Sequence, residues 1–121
     1  MTHIVLGGAG MIGSHLVDAL VARGEEVRVI DNFSRGSIKN LPVATGQVTV
    51  KNLNLEATGI PFSSDDVVWH LAAKVTGIEY NRHNQYEMLR SNLAINYNVI
   101  ESVRRQKPRL APRLKHKPSR R

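Results

Sequence analysis

Three regularly spaced glycines, placed between an apolar run and a helical pattern, constrain the fold of this chain more than any other feature. Residues 3–6 form a short, largely apolar run, and glycine follows at Gly7, Gly10 and Gly13. From residue 11 to residue 23, apolar side chains recur at helical spacing. The sequence therefore predicts a buried strand that leaves through a glycine turn directly into a helix.

The rest of the chain alternates between strand and helix patterns. Further strands are predicted at residues 27–30, 47–51 and 67–72, a loop or broken helical turn at residues 32–40, and a long helix at residues 84–105. Strands that alternate with helices favour a parallel sheet with right-handed crossovers. We therefore expect an α/β fold, the N-terminal half of a Rossmann-type doubly wound parallel sheet with about four strands.

Two neighbouring stripes of the predicted long helix carry apolar residues. One stripe consists of Leu89, Leu93, Asn96, Ile100 and Val103, and the other of Met88, Asn92, Ile95 and Val99. An asparagine on an apolar face costs free energy unless its amide finds a polar partner. We therefore expect polar partners for the asparagines of both stripes.

An acidic residue completes the glycine pattern, because Asp31 closes the second predicted strand 18 residues after Gly13. In a dinucleotide site, Gly7 permits the tight turn and Gly10 lets the backbone approach a pyrophosphate, while Gly13 lets the helix pack closely. The helix start receives the phosphates, and the acid accepts hydrogen bonds from ribose hydroxyls. The negative charge of Asp31 would repel a 2′-phosphate and therefore favours NAD over NADP. Arg35 follows closely, however, and could pair with such a phosphate. The alternative is a glycine-rich turn that binds nothing.

Charge is distributed unevenly along the 121 residues, whose formal net charge is +7. Residues 1–103 hold eight basic and ten acidic residues, whereas residues 104–121 hold nine basic residues and no acid. The second segment also carries three prolines and no apolar period, which predicts a disordered basic tail behind a domain at residues 1–103. Binding of nucleic acid or an anionic surface through this tail is an alternative function. The absence of aromatic residues from the tail makes nucleic acid an unfavoured partner.

Composition excludes several other classes of protein. The chain has no cysteine, which excludes a disulfide-stapled scaffold, thiolate metal sites and cysteine catalysis. Its five histidines lack ligand spacing, so we expect no metal site. No apolar run approaches the roughly 20 residues that span a bilayer, and the N-terminus lacks the features of a signal peptide. We therefore expect a cytoplasmic protein without a membrane segment.

Several segments together resemble the NAD-dependent epimerase/dehydratase family, the extended short-chain dehydrogenase/reductases that modify sugar nucleotides. The resemblance rests on the glycine turn and on residues 31–36 and 66–73, and it covers roughly residues 3–105. It implies NAD as the cofactor and a nucleotide sugar as a partner in the intact family, with a homodimer at full length. Residues 72–78 are also similar to the branch of the family that modifies GDP-sugars.

The glycine motif and the family resemblance together give a set of candidate cofactor-binding residues. They are Gly7, Gly10, Met11, Ile12, Gly13, Asp31, Asn32, Ser34, Arg35, Asn54, Leu55, Leu71, Ala72, Ala73 and Asn92. Asn54 stands where the family usually has an acid beside the adenine. Asn92 matches a helix asparagine that the family directs at the cofactor.

Catalytic residues of the family are missing from this sequence. The family uses a Tyr-x-x-x-Lys pair, but Asn84, Arg90 and Glu101 lie four places after the three tyrosines. The prolines and charges after residue 105 also predict that no fifth strand forms and that the fourth strand keeps an unpaired edge. We therefore expect the NAD(H)-binding portion of an epimerase/dehydratase-like protein that is inactive alone. A non-enzymatic NAD(H) binder is the alternative.

Overall fold

The chain forms one parallel sheet with helices on both faces. The computed structural model describes residues 2–34, 36–74 and 83–110. Its elements are β1 (Thr2–Leu6), α1 (Met11–Ala22), β2 (Glu26–Asp31), 3-10 turns at Ile38–Asn40 and Val43–Thr45, β3 (Val48–Asn52), β4 (Val67–His70), α2 (Gln85–Gln106) and β5 (Arg109–Leu110). This architecture confirms the predicted half of a doubly wound α/β fold.

The strand order β3-β2-β1-β4-β5 places the first strand in the middle of the sheet. Leu6, the last residue of β1, pairs with Ile30 of β2 on one side and with His70 of β4 on the other. From β1 the chain moves outward first to β2 and β3 and later to β4. The order therefore reverses at β1, and in such sheets a crevice for ligands opens beyond the carboxyl ends of the strands at that point.

Successive residues of β1 supply the apolar cores on the two faces of the sheet. Ile4 and Leu6 belong to the core under α2, whereas Val5 belongs to the core under α1, together with Val17 and Leu20 of that helix. Side chains alternate between faces along a strand, and both faces are covered here. Each fully buried aliphatic side chain contributes about 1.5–3 kcal/mol, so the central strand is stabilised from both sides.

One candidate stripe of α2 faces the sheet, whereas most of the other faces away from it, apart from Val103, which packs against the core. Ile95 and Val99 are buried, while Leu89, Leu93 and Ile100 of the other stripe are 61%, 59% and 63% exposed. The buried face is completed by the serines at positions 91 and 102. Small side chains let the helix approach the sheet, a preference that hydrophobic spacing alone does not reveal.

Side chains near the end of α2 hold an extended segment against the helix. The backbone N–H of Ile60 donates to Ser102 Oγ at 2.9 Å, and that of Phe62 donates to Gln106 Oε1 at 2.6 Å. Ser102 Oγ in turn donates to the carbonyl of Asn98 at 2.7 Å. Ile60 and Phe62 are buried in the core under α2. Helix side chains thus satisfy backbone groups that have no strand partner.

The prediction that β4 keeps an unpaired edge is wrong over part of its length. Arg109 and Leu110 of β5 pair in parallel with Val67 and Val68. Lys107, with φ of 52°, ends α2 in the left-handed conformation. The proline that follows it therefore lies between the helix and the strand, where its missing N–H breaks no ladder.

The helix α2 continues to Gln106, three residues beyond the predicted end of the domain at residue 103. Its last turn carries an ion pair from Arg104 to Glu101 at 2.9 Å, which favours helical continuation at i, i+3 spacing. Residues 111–121 of the predicted disordered tail lie outside the described residues. Within the described ranges, no helix is both long and apolar enough to cross a membrane.

Two buried serines of α2 give a matched test of how the helix is held. Ser102→Ala should lower the free energy of unfolding by about 1–3 kcal/mol, because it leaves the buried N–H of Ile60 without its acceptor. Ser91 is equally buried, but its hydroxyl has no hydrogen-bond partner within the described part of the chain. Ser91→Ala should therefore leave stability unchanged or raise it. Urea unfolding of both variants measures the difference, and equal losses would contradict this account.

Candidate dinucleotide site

The turn after β1 requires glycine at its first position. Gly7 has φ of +81°, and its N–H donates to the carbonyl of Ile30 at 2.8 Å. A Cβ on Gly7 would lie 3.0 Å from both Cα and N of Ala72, which leaves the end of β4. The turn therefore passes directly against the segment after β4, as the predicted strand–turn–helix unit requires.

Gly13 and Gly10 need to be glycine for different reasons. A Cβ on Gly13 would overlap the carbonyl oxygen of Gly7 and lie 2.7 Å from Cα of Gly8, so α1 packs on the turn itself. A Cβ on Gly10 would meet only the Gly7 oxygen, at an ordinary 3.6 Å, and Gly10 has φ of −77°. The protein's own packing therefore does not require glycine at position 10. The space beside Gly10 lies at the cleft.

The N-terminus of α1 presents uncapped backbone N–H groups to this cleft. Gly10 is the N-cap residue, no side chain caps the helix, and the first turn carries no acid. Met11 and Ile12 are 82% and 74% exposed. Because unsatisfied N–H groups and the helix dipole favour negative charge, this helix end suits a phosphate.

Asp31 joins the end of β2 to the glycine turn. Its Oδ2 accepts a hydrogen bond from the N–H of Ala9 at 3.0 Å, and its Oδ1 accepts from the N–H of Phe33 at 2.8 Å. An ionised carboxylate has about four acceptor positions. Asp31 therefore fixes two loops and retains capacity for hydroxyl donors of a ligand.

The segment after β2 folds back over the turn. Asn32 Oδ1 accepts from the N–H of Ser34 at 3.0 Å, which closes a local turn. Asn40 Nδ2 donates to the carbonyl of Ala9 at 3.1 Å, and a Cβ on Gly36 would overlap the same carbonyl. This packing holds Asn32 and Ser34 at the cleft. Arg35, the other predicted residue of the segment, lies outside the described residues.

A rigid turn after β3 forms another side of the cleft. Asn54 Oδ1 accepts from the N–H of Glu56 at 3.1 Å, and the carbonyl of Leu55 accepts from Asn98 Nδ2 at 2.6 Å. A guanidinium nitrogen of Arg90, on α2, lies 3.7 Å from a carboxylate oxygen of Glu56. The hydrogen bond to Glu87 and the charge of Glu87 raise the pKa of Arg90, and desolvation lowers it by less. Contacts from α2 thus fix the turn that carries Asn54.

Asn92 is hydrogen-bonded to the backbone instead of facing the cleft. The N–H of Lys74 donates to Asn92 Oδ1 at 2.6 Å, and Asn92 Nδ2 donates to the carbonyl of Lys74 at 3.2 Å. Asn92 therefore supports the segment that follows β4, and it is not among the residues that line the cleft. The second asparagine, Asn96, accepts from His70 Nε2 at 2.8 Å. Both amides have the polar partners expected for them.

These elements enclose a cleft of about 490 Å³ at the carboxyl ends of the strands. Of the fifteen predicted residues, the structure describes fourteen, and thirteen of these line the cleft; Asn92 is the exception. The lining residues outside the predicted set are Ile30, Gly36, Leu53, Glu56, Lys74 and Ile95. Each lies within four residues of a predicted position, so proximity to the motifs was the available signal. Among the described residues, no group of acids and histidines is arranged to hold a metal ion.

A parallel sheet that reverses at β1, a glycine turn and a strand-end acid define the class of dinucleotide-binding α/β proteins. A family model described as the NAD dependent epimerase/dehydratase family matches residues 3–115. The chain belongs to this family, as the sequence resemblance indicated, and the cofactor of the family is NAD.

Individual relatives agree with this assignment. UDP-N-acetyl-alpha-D-glucosaminuronate decarboxylase of Bacillus cytotoxicus is 32% identical over 114 residues, which are 88% of this chain and 34% of the relative. UDP-glucuronic acid decarboxylase 1 of Arabidopsis thaliana is 32% identical over 102 residues, 84% of this chain and 23% of the relative.

Solved structures show the same partial coverage. A crystal structure of UDP-galactose 4-epimerase superposes with a TM-score of 0.75 at 32% identity, over 91% of this chain and 36% of the other. UDP-glucose 4-epimerase of Thermus thermophilus, solved in complex with NAD, superposes with a TM-score of 0.71 at 28% identity. The match covers 88% of this chain and 35% of the other. The chain therefore spans about a third of the length of these proteins.

Proposed function

We propose that this chain binds NAD(H) across the carboxyl ends of β2, β1 and β4. The pyrophosphate lies at the start of α1, the adenosine ribose at Asp31, the adenine beside Asn54 and Leu55, and the nicotinamide over Leu71, Ala72 and Ala73. The observation that carries this proposal is the space beside Gly10, where an added Cβ would meet only the Gly7 oxygen, at 3.6 Å. It adjoins an uncapped helix start, so it fits a phosphate group.

The described residues fit this cofactor by charge and by size. The helix start offers N–H donors to the negative pyrophosphate, and Asp31 offers acceptors to the ribose hydroxyls. Ala72 and Ala73 line the cleft after β4, and their small side chains leave room for a flat ring. When bound, NAD supplies hydride transfer, while these residues hold and orient it.

We further propose that the whole protein acts on a nucleotide sugar. The similar decarboxylases and 4-epimerases named above all carry UDP-sugar names, which favours a UDP-sugar over the GDP-sugar suggested by residues 72–78. This sequence contains no Tyr-x-x-x-Lys pair, the family's general base and its partner. The chain alone should therefore bind the cofactor without turning over the sugar.

Titration of the purified chain with NADH tests the proposed cofactor site. Energy transfer from Trp69, the single tryptophan, to NADH reports binding. Gly10→Ala should weaken NADH binding by at least about tenfold, because its Cβ enters the space for the pyrophosphate. The same variant should change the free energy of unfolding by less than about 1 kcal/mol. The absence of saturable binding to the unaltered chain would overturn the proposal.

Cofactor choice should depend on the charge of Asp31. The unaltered chain should bind NADH more tightly than NADPH, because the carboxylate repels a 2′-phosphate. Asp31→Asn should narrow this preference by about tenfold, since charge-assisted hydrogen bonds contribute about 1.5–3 kcal/mol. Asp18→Asn removes the same charge from an exposed position of α1 outside the cleft and should leave the ratio unchanged. A ratio that moves equally in both variants would contradict a specific role for Asp31.

We also propose that two copies of the protein associate through α2. One face of this helix carries five large side chains that are each between 59% and 76% exposed. They are Tyr86, Leu89, Leu93, Tyr97 and Ile100. Their spacing of three and four residues makes one continuous apolar face, of the kind that packs against another helix.

Sedimentation equilibrium of the purified chain measures this association. Leu93→Lys should raise the dimer dissociation constant by about tenfold or more, because it places a charge at the centre of the apolar face. Ile38→Lys alters a residue that is 51% exposed and lies outside α2, so it should leave the constant unchanged. A chain that stays monomeric at all concentrations, or equal effects of the two substitutions, would contradict the proposal.

A further inference from the structure

A buried histidine of the central strand joins three elements of the fold. His3 of β1 is 9% exposed, and its ring contacts polar groups from two other elements. Trp69 Nε1, on β4, donates to His3 Nδ1 at 3.0 Å, and the two rings stack with their centroids 6.1 Å apart. His3 Nε2 lies 3.3 Å from Glu25 Oε2, in the turn after α1. Both nitrogens of the imidazole therefore have a partner.

Strand register and one turn bring these three side chains together. Trp69 pairs with Val5 in the parallel register of β1 and β4, and both residues belong to the α1 face of the sheet. His3 lies on the same face, because it is two residues from Val5 along the strand. Gly24, with φ of +79°, turns the chain back after α1, and the N–H of Glu25 donates to a carbonyl of that helix at 3.0 Å. Glu25 is thereby held beside the ring.

The indole N–H defines the protonation state of His3. An indole N–H can only donate, so His3 Nδ1 is the acceptor and carries no proton. The proton of the neutral ring then lies on Nε2, where it faces the Glu25 carboxylate. A second proton would have to sit on Nδ1, directly opposite the indole N–H. Two donors would then face each other, and the hydrogen bond from Trp69 would be lost.

The two partners therefore favour opposite charge states of His3. A carboxylate attracts an imidazolium, whereas the indole N–H requires the neutral ring. Protonation thus exchanges one contact for another: the contact with Trp69 is broken, and the contact with Glu25 becomes an ion pair.

Other elements around the ring contribute no charge in contact with it. The strand partners of His3 are Val27 of β2 and Val67 of β4. Arg28 and His70 of the same two strands lie on the opposite face of the sheet. The remaining charged or titratable residues of α1 and of the turn after it are exposed and form no ion pair within the described part of the chain. They are His15, Asp18, Arg23 and Glu26.

We propose that His3 is a pH-sensitive latch on Trp69. The neutral ring holds the indole against β1, and protonation releases the indole while it strengthens the contact between His3 and Glu25. Trp69 packs against the core under α1, which includes Ala9 of the glycine turn. Release therefore loosens the packing of β4 on this core, whereas the strand remains paired in the sheet. The latch does not depend on the proposed cofactor.

Acrylamide quenching of the single tryptophan measures this release. The quenching constant of the unaltered chain should rise about twofold or more between about pH 8 and about pH 5, the interval in which histidine side chains gain a proton. His3→Gln keeps an acceptor for the indole and a donor for Glu25, but its amide gains no proton in this interval. The quenching constant of this variant should therefore stay at the high-pH value of the unaltered chain.

His70→Gln is the matched control, because it removes the histidine next to Trp69, whose ring is hydrogen-bonded to Asn96. This variant should keep the full response to pH. A response that survives in His3→Gln, or that disappears in His70→Gln, would overturn the proposal. A rise in quenching that occurs only together with a loss of far-UV circular dichroism would also overturn it, because such a rise reports unfolding.

Nitrogen-15 NMR of the unaltered chain decides the question if His3→Gln fails to fold. At high pH the ring nitrogens of His3 should show a proton on Nε2 alone. On acidification the Trp69 indole N–H signal should shift together with the signals of the His3 ring, because the same proton breaks the hydrogen bond between them. An indole signal that stays constant over this interval contradicts the latch.

Discussion

Close packing of α1 on the turn that precedes it is the contact on which the rest of the structure depends. No side chain fits between Gly13 and the carbonyl of Gly7, so the helix starts directly above the end of the central strand. This position aims the helix start at the cleft and brings the turn against Ala72 beyond β4. Asp31 then ties β2 to the same turn through Ala9. Three strand ends are thereby held at one point, which fixes the start of α1 and the carboxylate of Asp31 relative to each other.

The opposite face of the sheet relies on polar side chains of α2 as much as on apolar burial. The Asn92 amide is hydrogen-bonded to the backbone N–H and carbonyl of Lys74, and Asn98 donates to the carbonyl of Leu55. Ser102 and Gln106 are hydrogen-bonded to the backbone N–H and carbonyl of Ile60. Each bond satisfies a backbone group that has no ladder partner, which is costly to leave unpaired in a core. One helix therefore shapes two sides of the cleft, although only Ile95 of that helix reaches its lining.

Much of the fold was predictable because its determinants are local. Glycine spacing, helical periodicity and a strand-end acid identified β1, α1, β2 and the glycine side of the cleft, whereas the family resemblance supplied the predicted lining residues after β2, β3 and β4. The role of Asn92 was harder to predict, because a polar residue on an apolar helix face indicates a partner without identifying it. β5 was not predicted, because the proline before it predicts the absence of a strand. A proline removes a ladder hydrogen bond inside a strand, but it removes none when it lies immediately before the strand. Its two-residue length also leaves almost no periodic signal.

The sequence by itself determined the class of fold, the glycine turn and the acid that closes β2, because each depends on residue type at short spacing. Tertiary structure alone decided which stripe of α2 is buried, since Leu89 and Ile95 are both apolar and only contact with the sheet distinguishes them. It also decided that Asn54 Oδ1 accepts a hydrogen bond from the N–H of Glu56. Hydrogen-bond partners depend on how the chain folds in space, and residue spacing does not encode that arrangement directly.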